Sequence, residues 1–276
     1  MKKNKIWRYT GFSLLFFLLL VFIWQLSLRP THDRDWSADQ AILPWAEIEN
    51  EIVTIHNIRN FNYRDVNDYD INYETRSYNL NELETADYMV VPFAGLGAAH
   101  TMISFGFSDG QYLAISAEIR KTTGVSFSPW RGLFRQYELM YVVADETDVI
   151  KLRTNHREEP VYLYPTKASQ ENIQLIFLSM VKRVNEIKIK PEFYNTITNN
   201  CTTNIAKHIN QVSPGTIPWW DLRLIAPANS DVLAYKLNLL DTEDNPKEIR
   251  EEYLINDLAL EHQTGDNFSK LIRSGR

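Results

Sequence analysis

From Tyr9 to Leu28 the chain carries no charged side chain and is dominated by Leu, Phe, Ile and Val. About 20 apolar residues is the length an α-helix needs to cross the hydrocarbon core of a bilayer. Lys2, Lys3, Lys5 and Arg8 precede the run, and the positive-inside rule leaves such a basic flank in the cytoplasm. The sequence Gln25-Leu26-Ser27-Leu28-Arg29-Pro30 offers no small-x-small cleavage site, and no lipobox-like cysteine follows. The run therefore reads as an uncleaved anchor rather than a signal peptide. It divides the chain into a cytoplasmic basic tail (1–8), a transmembrane anchor (9–28), a juxtamembrane tether (29–40) and a remainder outside the cytoplasm. In a bacterium with two membranes this is a single-pass inner-membrane protein with its C-terminal domain in the periplasm.

That remainder suits one large domain or a domain with an extension. The formal charge is −6 with mixed signs throughout, so the basic footprint of a nucleic-acid-binding surface is missing. Ile52-Val53-Thr54-Ile55 reads as a strand, and Asp68 to Leu83, rich in Asn, Asp and Tyr, as a surface loop. From Thr85 to Pro165 β-type segments follow one another, and Ser108-Asp109-Gly110 marks a hairpin between two of them. The period then changes. Ile173, Ile176, Phe177, Met180, Val181, Val184 and Ile187 recur at helical spacing, and Pro191 blocks continuation. A second helix is expected from about Cys201 to Gln211. Pro214, Pro218 and Pro227 then bracket a loop carrying Trp219 and Trp220. Beyond Asn229 there is no chemical signature, and Gly265 onward reads as a loose tail. These elements predict an α+β fold with an antiparallel sheet packed against helices.

Cys201 is the only cysteine, so it has no partner for a structural disulfide. Asn199 or Asn200 is a good N-cap, which sets Cys201 in the first turn of the second helix. Unpaired N–H groups and the helix dipole favour a thiolate there. That is the setting of a nucleophile; the alternative is a small buried hydrophobe.

A thiol nucleophile needs a base, and there are six histidines. His208 is seven residues further along the helix, roughly 10 Å up the axis. His32 falls in the tether, His262 in the tail and His156 among charges, which leaves His56 and His100. His100 opens a strand behind the small residues Gly95, Gly97, Ala98 and Ala99, where there is room for substrate or for the cysteine-bearing helix. Across the hairpin, Ser116, Glu118 and Arg120 alternate with apolar residues and share one face, so Glu118 is the candidate to hold the imidazole. A structural histidine and a solvent-facing carboxylate are the bland alternatives. The chain has no Gly-x-Ser-x-Gly elbow, no His-Glu-x-x-His and no Walker loop, which disfavours metal and nucleotide chemistry; no cofactor is implied.

Four separated motifs carry a family resemblance. They are Ala99 to Phe107 around His100, Ile115 to Arg120, Phe134-Arg135-Gln136-Tyr137-Glu138-Leu139, and Phe193-Tyr194-Asn195-Thr196 through Asn200-Cys201-Thr202-Thr203. In this order they resemble the periplasmic domain of Lnb-type lipoprotein N-acyltransferases, over roughly Asn50 to Asn210. The order of histidine on a strand and cysteine at a later helix start also resembles circularly permuted papain-like enzymes of the NlpC and lecithin:retinol acyltransferase groups. The resemblance implies a papain-like catalytic domain over 41–228, followed by a C-terminal extension over 229–276.

It further implies catalysis by Cys201 and His100 with Glu118 as third member. An acyl chain would pass from membrane phospholipid to the N-terminus of a lipoprotein or lipopeptide through a thioester. The N–H of Cys201, with Asn200 or Tyr194, would receive the oxyanion. Arg120 and Arg153 would bind the lipid phosphate, or else form salt bridges on the sheet. Trp219 and Trp220 read as core beside the second helix, with the membrane interface or the cap of an acyl groove as the alternative. Unlike family members with a membrane region after the periplasmic domain, this chain carries its apolar run in front of it. A Cys-His envelope hydrolase and a noncatalytic envelope scaffold are the competing readings.

Overall fold

The computed structural model describes residues 2–95, 97–264 and 267–274, with the side chains of 2–8, 10, 14, 22 and 94 outside that description. Its strands are β1 Trp45–Glu49, β2 Ile52–Arg59, β3 Asn62–Asp65, β4 Asp68–Asp70, β5 Tyr73–Asn79, β6 Leu83–Ala94, β7 Ala98–Phe107, β8 Tyr112–Arg120, β9 Glu138–Ala144 and β10 Tyr162–Pro165. The helices are α1 Lys2–Ser27, α2 Pro129–Leu133, α3 Glu146–Lys151, α4 Gln170–Ile189, α5 Cys201–Val212, α6 Ser230–Lys236, α7 Pro246–Ile249, α8 Asn256–Glu261 and α9 Phe268–Leu271. Eight strands form one sheet in the order β1-β2-β9-β8-β7-β6-β10, with β5 also paired to β2, and β3 and β4 form a separate hairpin. Pairing is antiparallel except for the single contact of Arg59 with Ala144. The expected α+β class with a sheet packed on helices is the observed one.

The central strands are buried on both faces, which is why they read as continuous apolar segments rather than as alternating ones. The period of two still sorts them. Ile103, Phe105, Ile115, Tyr141 and Val143 join α4 in one core, while Met102, Ala114, Met140 and Val142 join α3, α8 and α9 in another. α4 buries the seven residues its spacing singles out, and Ser169 caps it by accepting from the Asn172 N–H.

Several segments differ from expectation. Within the supposed loop Asp68–Leu83, β5 pairs with β2 over its whole length and buries Tyr78. Its Tyr, Thr and Ser residues suit an edge strand, and the flanking Asn and Asp concealed it. Residues 29–40 are docked rather than hanging free. His32 Nε2 lies 2.9 Å from the Ile187 carbonyl, Arg34 pairs with Glu138 at 2.8 Å, and Trp36 bridges to Thr122. Residues after 228 supply Ile255, Ala259, Phe268 and Ile272 to the second core, so packing has no break at 228. Gly265 and Asp266 lie outside the described residues. The segment 267–274 is no loose tail, because Arg273 pairs with Asp87 at 2.8 Å and with Glu146 at 2.7 Å. Trp219 and Trp220 are exposed, not core.

α1 takes in the basic flank and the apolar run as far as Ser27, and positions 10, 14 and 22 within that run are among those whose side chains are not described. Among the described residues, no helix is long and apolar enough to cross a membrane, so the expected anchor is without structural support.

Candidate active site

The loop before α5 is built by its asparagines. Asn195 Oδ1 accepts from the N–H groups of Ile197 and Thr198, each at 3.0 Å, and Asn199 Nδ2 donates to the Phe193 carbonyl. Asn200 is the N-cap. Its Oδ1 accepts from the Thr203 N–H at 2.8 Å while Thr203 Oγ1 accepts from the Asn200 N–H at 2.8 Å, a reciprocal capping box. Cys201 is thus the first helical residue, where the N–H groups have no intrahelical acceptor. The helix is pinned to the sheet at both ends, by Thr202 Oγ1 on Thr101 Oγ1 at 3.0 Å and by His208 Nε2 on the Tyr141 hydroxyl at 2.8 Å.

His100 follows Ala99 on β7, and Cys201 Sγ lies 3.9 Å from the Ala99 carbonyl oxygen. The β7–β8 register sets Ile103 opposite Ile115; carried three residues further, it sets His100 opposite Glu118. Both have the parity of Met102 and Ala114, which face the α3 side, whereas α5 packs on the other face. Sulfur and imidazole therefore come from opposite layers and meet at the end of the sheet. His100 Nε2 is 3.1 Å from Glu118 Oε1, in ion-pair range though poorly aligned for a hydrogen bond. Behind Glu118, Ser116 Oγ donates to Oε1 at 3.0 Å and Arg153 Nη2 donates to it at 3.3 Å. Arg153 stands where α3 widens into a π-helical turn, Leu152–His156, and also donates from Nη1 to the Val149 carbonyl at 2.7 Å.

Burial raises the Cys201 thiol, but the hydrogen bond and charge of His100, aided by the Thr101 and Thr202 hydroxyls, bring it down from 9.0 to about 7. Burial lowers the imidazole, yet the Glu118 carboxylate and the Cys201 sulfur leave it raised overall. Burial also works against the Glu118 carboxylate. His100, Arg153 and more distant Arg59 outweigh it and hold the carboxyl well below the usual range. Charges thus alternate from thiolate to imidazolium to carboxylate to guanidinium. With the Nε2 edge turned to Glu118, neutral imidazole can take a proton at Nδ1. The arrangement has the parts of an activated nucleophile: thiol, base, and a group that orients the base.

Of the residues singled out in the sequence, Cys201, His100 and Glu118 come together. Tyr194 is beside them, its hydroxyl raised by burial and by the nearby Cys201 and Glu118 charges. Asn200 is spent on structure, since Nδ2 donates to the carbonyls of Thr196 at 2.8 Å and Leu224 at 2.9 Å while Oδ1 is capping. Arg120 and Arg153 do not present open forks to a phosphate. Arg120 is buried against Trp36, with Nε on the Gln40 carbonyl and Nη2 on the Ala41 carbonyl. Arg153 is buried behind Glu118. His56 is stacked on Trp45 at 3.9 Å, away from this site.

Sequence reasoning missed a buried ion pair whose arginine adds, at longer range, to the positive charge that holds Glu118 ionised. Arg59 binds Asp148 through Nε at 3.1 Å and Nη2 at 2.8 Å, and both are buried. The His100–Glu118 register, in contrast, could be counted from the Ser108-Asp109-Gly110 turn.

An α+β frame whose first-turn cysteine meets an imidazole–carboxylate pair defines a thiol-centred site of the Cys-His-Glu type. The chain belongs to the Lnb N-terminal periplasmic domain family, whose profile matches residues 69–228, more than half of its length and the whole of this triad. No curated protein and no solved structure matches it.

Proposed function

We propose that this protein is a membrane-anchored thiol acyltransferase of the bacterial envelope, moving an acyl chain from phospholipid to the amino terminus of a lipoprotein. The observation that carries the reading is a buried helix-start thiol, titrating at about 7, against a histidine backed by a carboxylate. The order of histidine on a strand and cysteine at a later helix start supports a permuted papain-like ancestry. The uncharged run from Tyr9 to Leu28 behind the basic flank of Lys2, Lys3, Lys5 and Arg8 is the sequence feature that supports a single-pass inner-membrane anchor. The periplasmic family supports the side on which the domain lies.

The Cys201 thiolate attacks the ester carbonyl carbon and its electron pair forms the C–S bond, while the carbonyl pair moves to oxygen. The Cys201 N–H, at the start of α5, faces the developing oxyanion. As the intermediate collapses, the lysolipid oxygen leaves with the proton of the His100 imidazolium, giving a thioester. The α-amino group of the acceptor then attacks, His100 takes its proton, and the thiolate departs as the amide forms. Glu118 stabilises the cationic imidazole in both halves.

The test uses the full chain with phospholipid vesicles and a diacylated lipopeptide, followed by mass spectrometry. N-acylated peptide with equimolar lysolipid is the expected result, lost in Cys201→Ala and His100→Ala. Free fatty acid without N-acylation would make the protein a hydrolase, and neither product would overturn enzymatic function.

A further inference from the structure

α5 has a second face that the chemistry above does not use. Thr202, Ile205, Ala206, Ile209 and Val212 form one stripe along it and line a cleft of about 210 Å³. Ile103 and Tyr88 of the sheet, Ile176 of α4, and Leu233 and Ala234 of α6 complete the walls. Among the described residues of the lining Lys167 alone is charged, and it is tied at the far end to Asn238 Oδ1 at 2.9 Å. The near end starts at Thr202 and Leu224, which touch the reactive residue and its cap: Thr202 Oγ1 is 3.7 Å from Cys201 Sγ, and the Leu224 carbonyl accepts from Asn200 Nδ2.

The cleft is mostly apolar and larger than the apolar cavities of ~150 Å³ that take up small apolar molecules, so it has room for an apolar chain. From Thr202 to Val212 the stripe runs roughly 15 Å. One leaflet of a bilayer, half of its ~30 Å core, has the same depth, so a lipid acyl chain has the matching length. A peptide would leave its backbone polar groups unpaired in so apolar a lining.

We infer that this cleft holds the donor acyl chain while its carbonyl carbon is bonded to Cys201. The inference rests on the acyltransferase reading and adds to it a selective site for a long acyl chain. It makes α5 two-sided, with the nucleophile at its start and the chain seat along its flank. Each methylene that enters the cleft strengthens binding about fourfold, until the cleft is full.

The experiment measures acylation of Cys201 by p-nitrophenyl esters of acetate, hexanoate, decanoate and hexadecanoate. It uses the full chain in digitonin, whose rigid rings do not mimic an acyl chain, and follows the intact mass with no acceptor present. In the native chain the rate rises with chain length and then levels. Ala206→Phe and Ala234→Leu, which fill the cleft from two different walls, cut the decanoyl rate about tenfold or more and leave the acetyl rate within about twofold. A flat profile in the native chain, or the same profile in both variants, overturns the inference. If no ester acylates Cys201, the acyltransferase reading fails on its own. Calorimetry of lauric acid binding to Cys201→Ala then decides the cleft: loss of binding on adding Ala206→Phe upholds it, and no binding in Cys201→Ala refutes it.

Discussion

Replacing His100 with alanine removes the group that draws the Cys201 thiol down. Burial alone pushes the thiol above 9.0, and the neighbours, His100 first, bring it to about 7. Two pH units correspond to about 3 kcal/mol of preference for the thiolate, at ~1.36 kcal/mol per unit. At pH 7 half of the native thiol is therefore ionised, against about 1 % for a thiol titrating near 9, so alkylation of His100→Ala at pH 7 should be about fifty-fold slower. Rates with iodoacetamide are measured from pH 5 to 10 by intact mass, and since the chain has no other cysteine, the label count reports Cys201 alone. Dividing each rate by its own high-pH plateau removes differences in access to a buried sulfur. The expected midpoints are about 7 for the native protein and 9 or higher for the variant. A native midpoint near 9, or equal midpoints in the two proteins, would refute the coupling of thiol and imidazole.

Glu118→Gln removes the carboxylate that keeps His100 cationic and leaves Arg153 buried without its counter-charge. Urea unfolding should lose roughly 3 kcal/mol or more, and the alkylation midpoint should rise by about one unit or more. Asn200→Ala deletes the helix cap and leaves the Thr196 and Leu224 carbonyls without a donor, for an expected loss of about 2 kcal/mol in the same unfolding assay. His208, pushed down to about 4 by burial and by the Arg183 and Lys207 charges, is neutral in the native state. As pH falls below 6.5 the unfolded chain takes up a proton that the native chain refuses until about 4, so stability drops through that window. Between pH 7 and 5 the native protein should lose about 2 kcal/mol more than His208→Gln, by urea titration at the two pH values; equal losses would contradict a buried neutral imidazole.

α4 and α5 were legible because each bears a local signal, seven apolar residues at helical spacing in one and a cap followed by threonine in the other. The three central site residues were legible for a different reason. A strand-opening histidine, a hairpin and a helix-start cysteine each restrict the geometry before any long-range contact is known. Depth was not legible. A strand arginine looks the same in sequence whether it faces solvent or, like Arg120, lies beneath Trp36, and Arg153 has no local sign of the carboxylate it supports. Trp219 and Trp220 failed in the reverse sense, since apolar character pointed to the interior and the proline-bracketed loop holds them out in solvent. β5 was missed because Asn and Asp outside its ends mark turns, and its own alternation is mostly polar.

The docked segment after α1 has a mechanical consequence. A flexible leash would let the domain sample a hemisphere of attitudes, diluting any one orientation of the domain. Here Arg34, Trp36 and Ser37 lock the segment onto β8 and β9, while Arg135 Nη1 reaches the Gln25 carbonyl at the end of α1. Whatever grips the N-terminal helix therefore steers the whole body as a handle steers a blade, and cutting the Arg34–Glu138 contact should widen its swing without touching the triad.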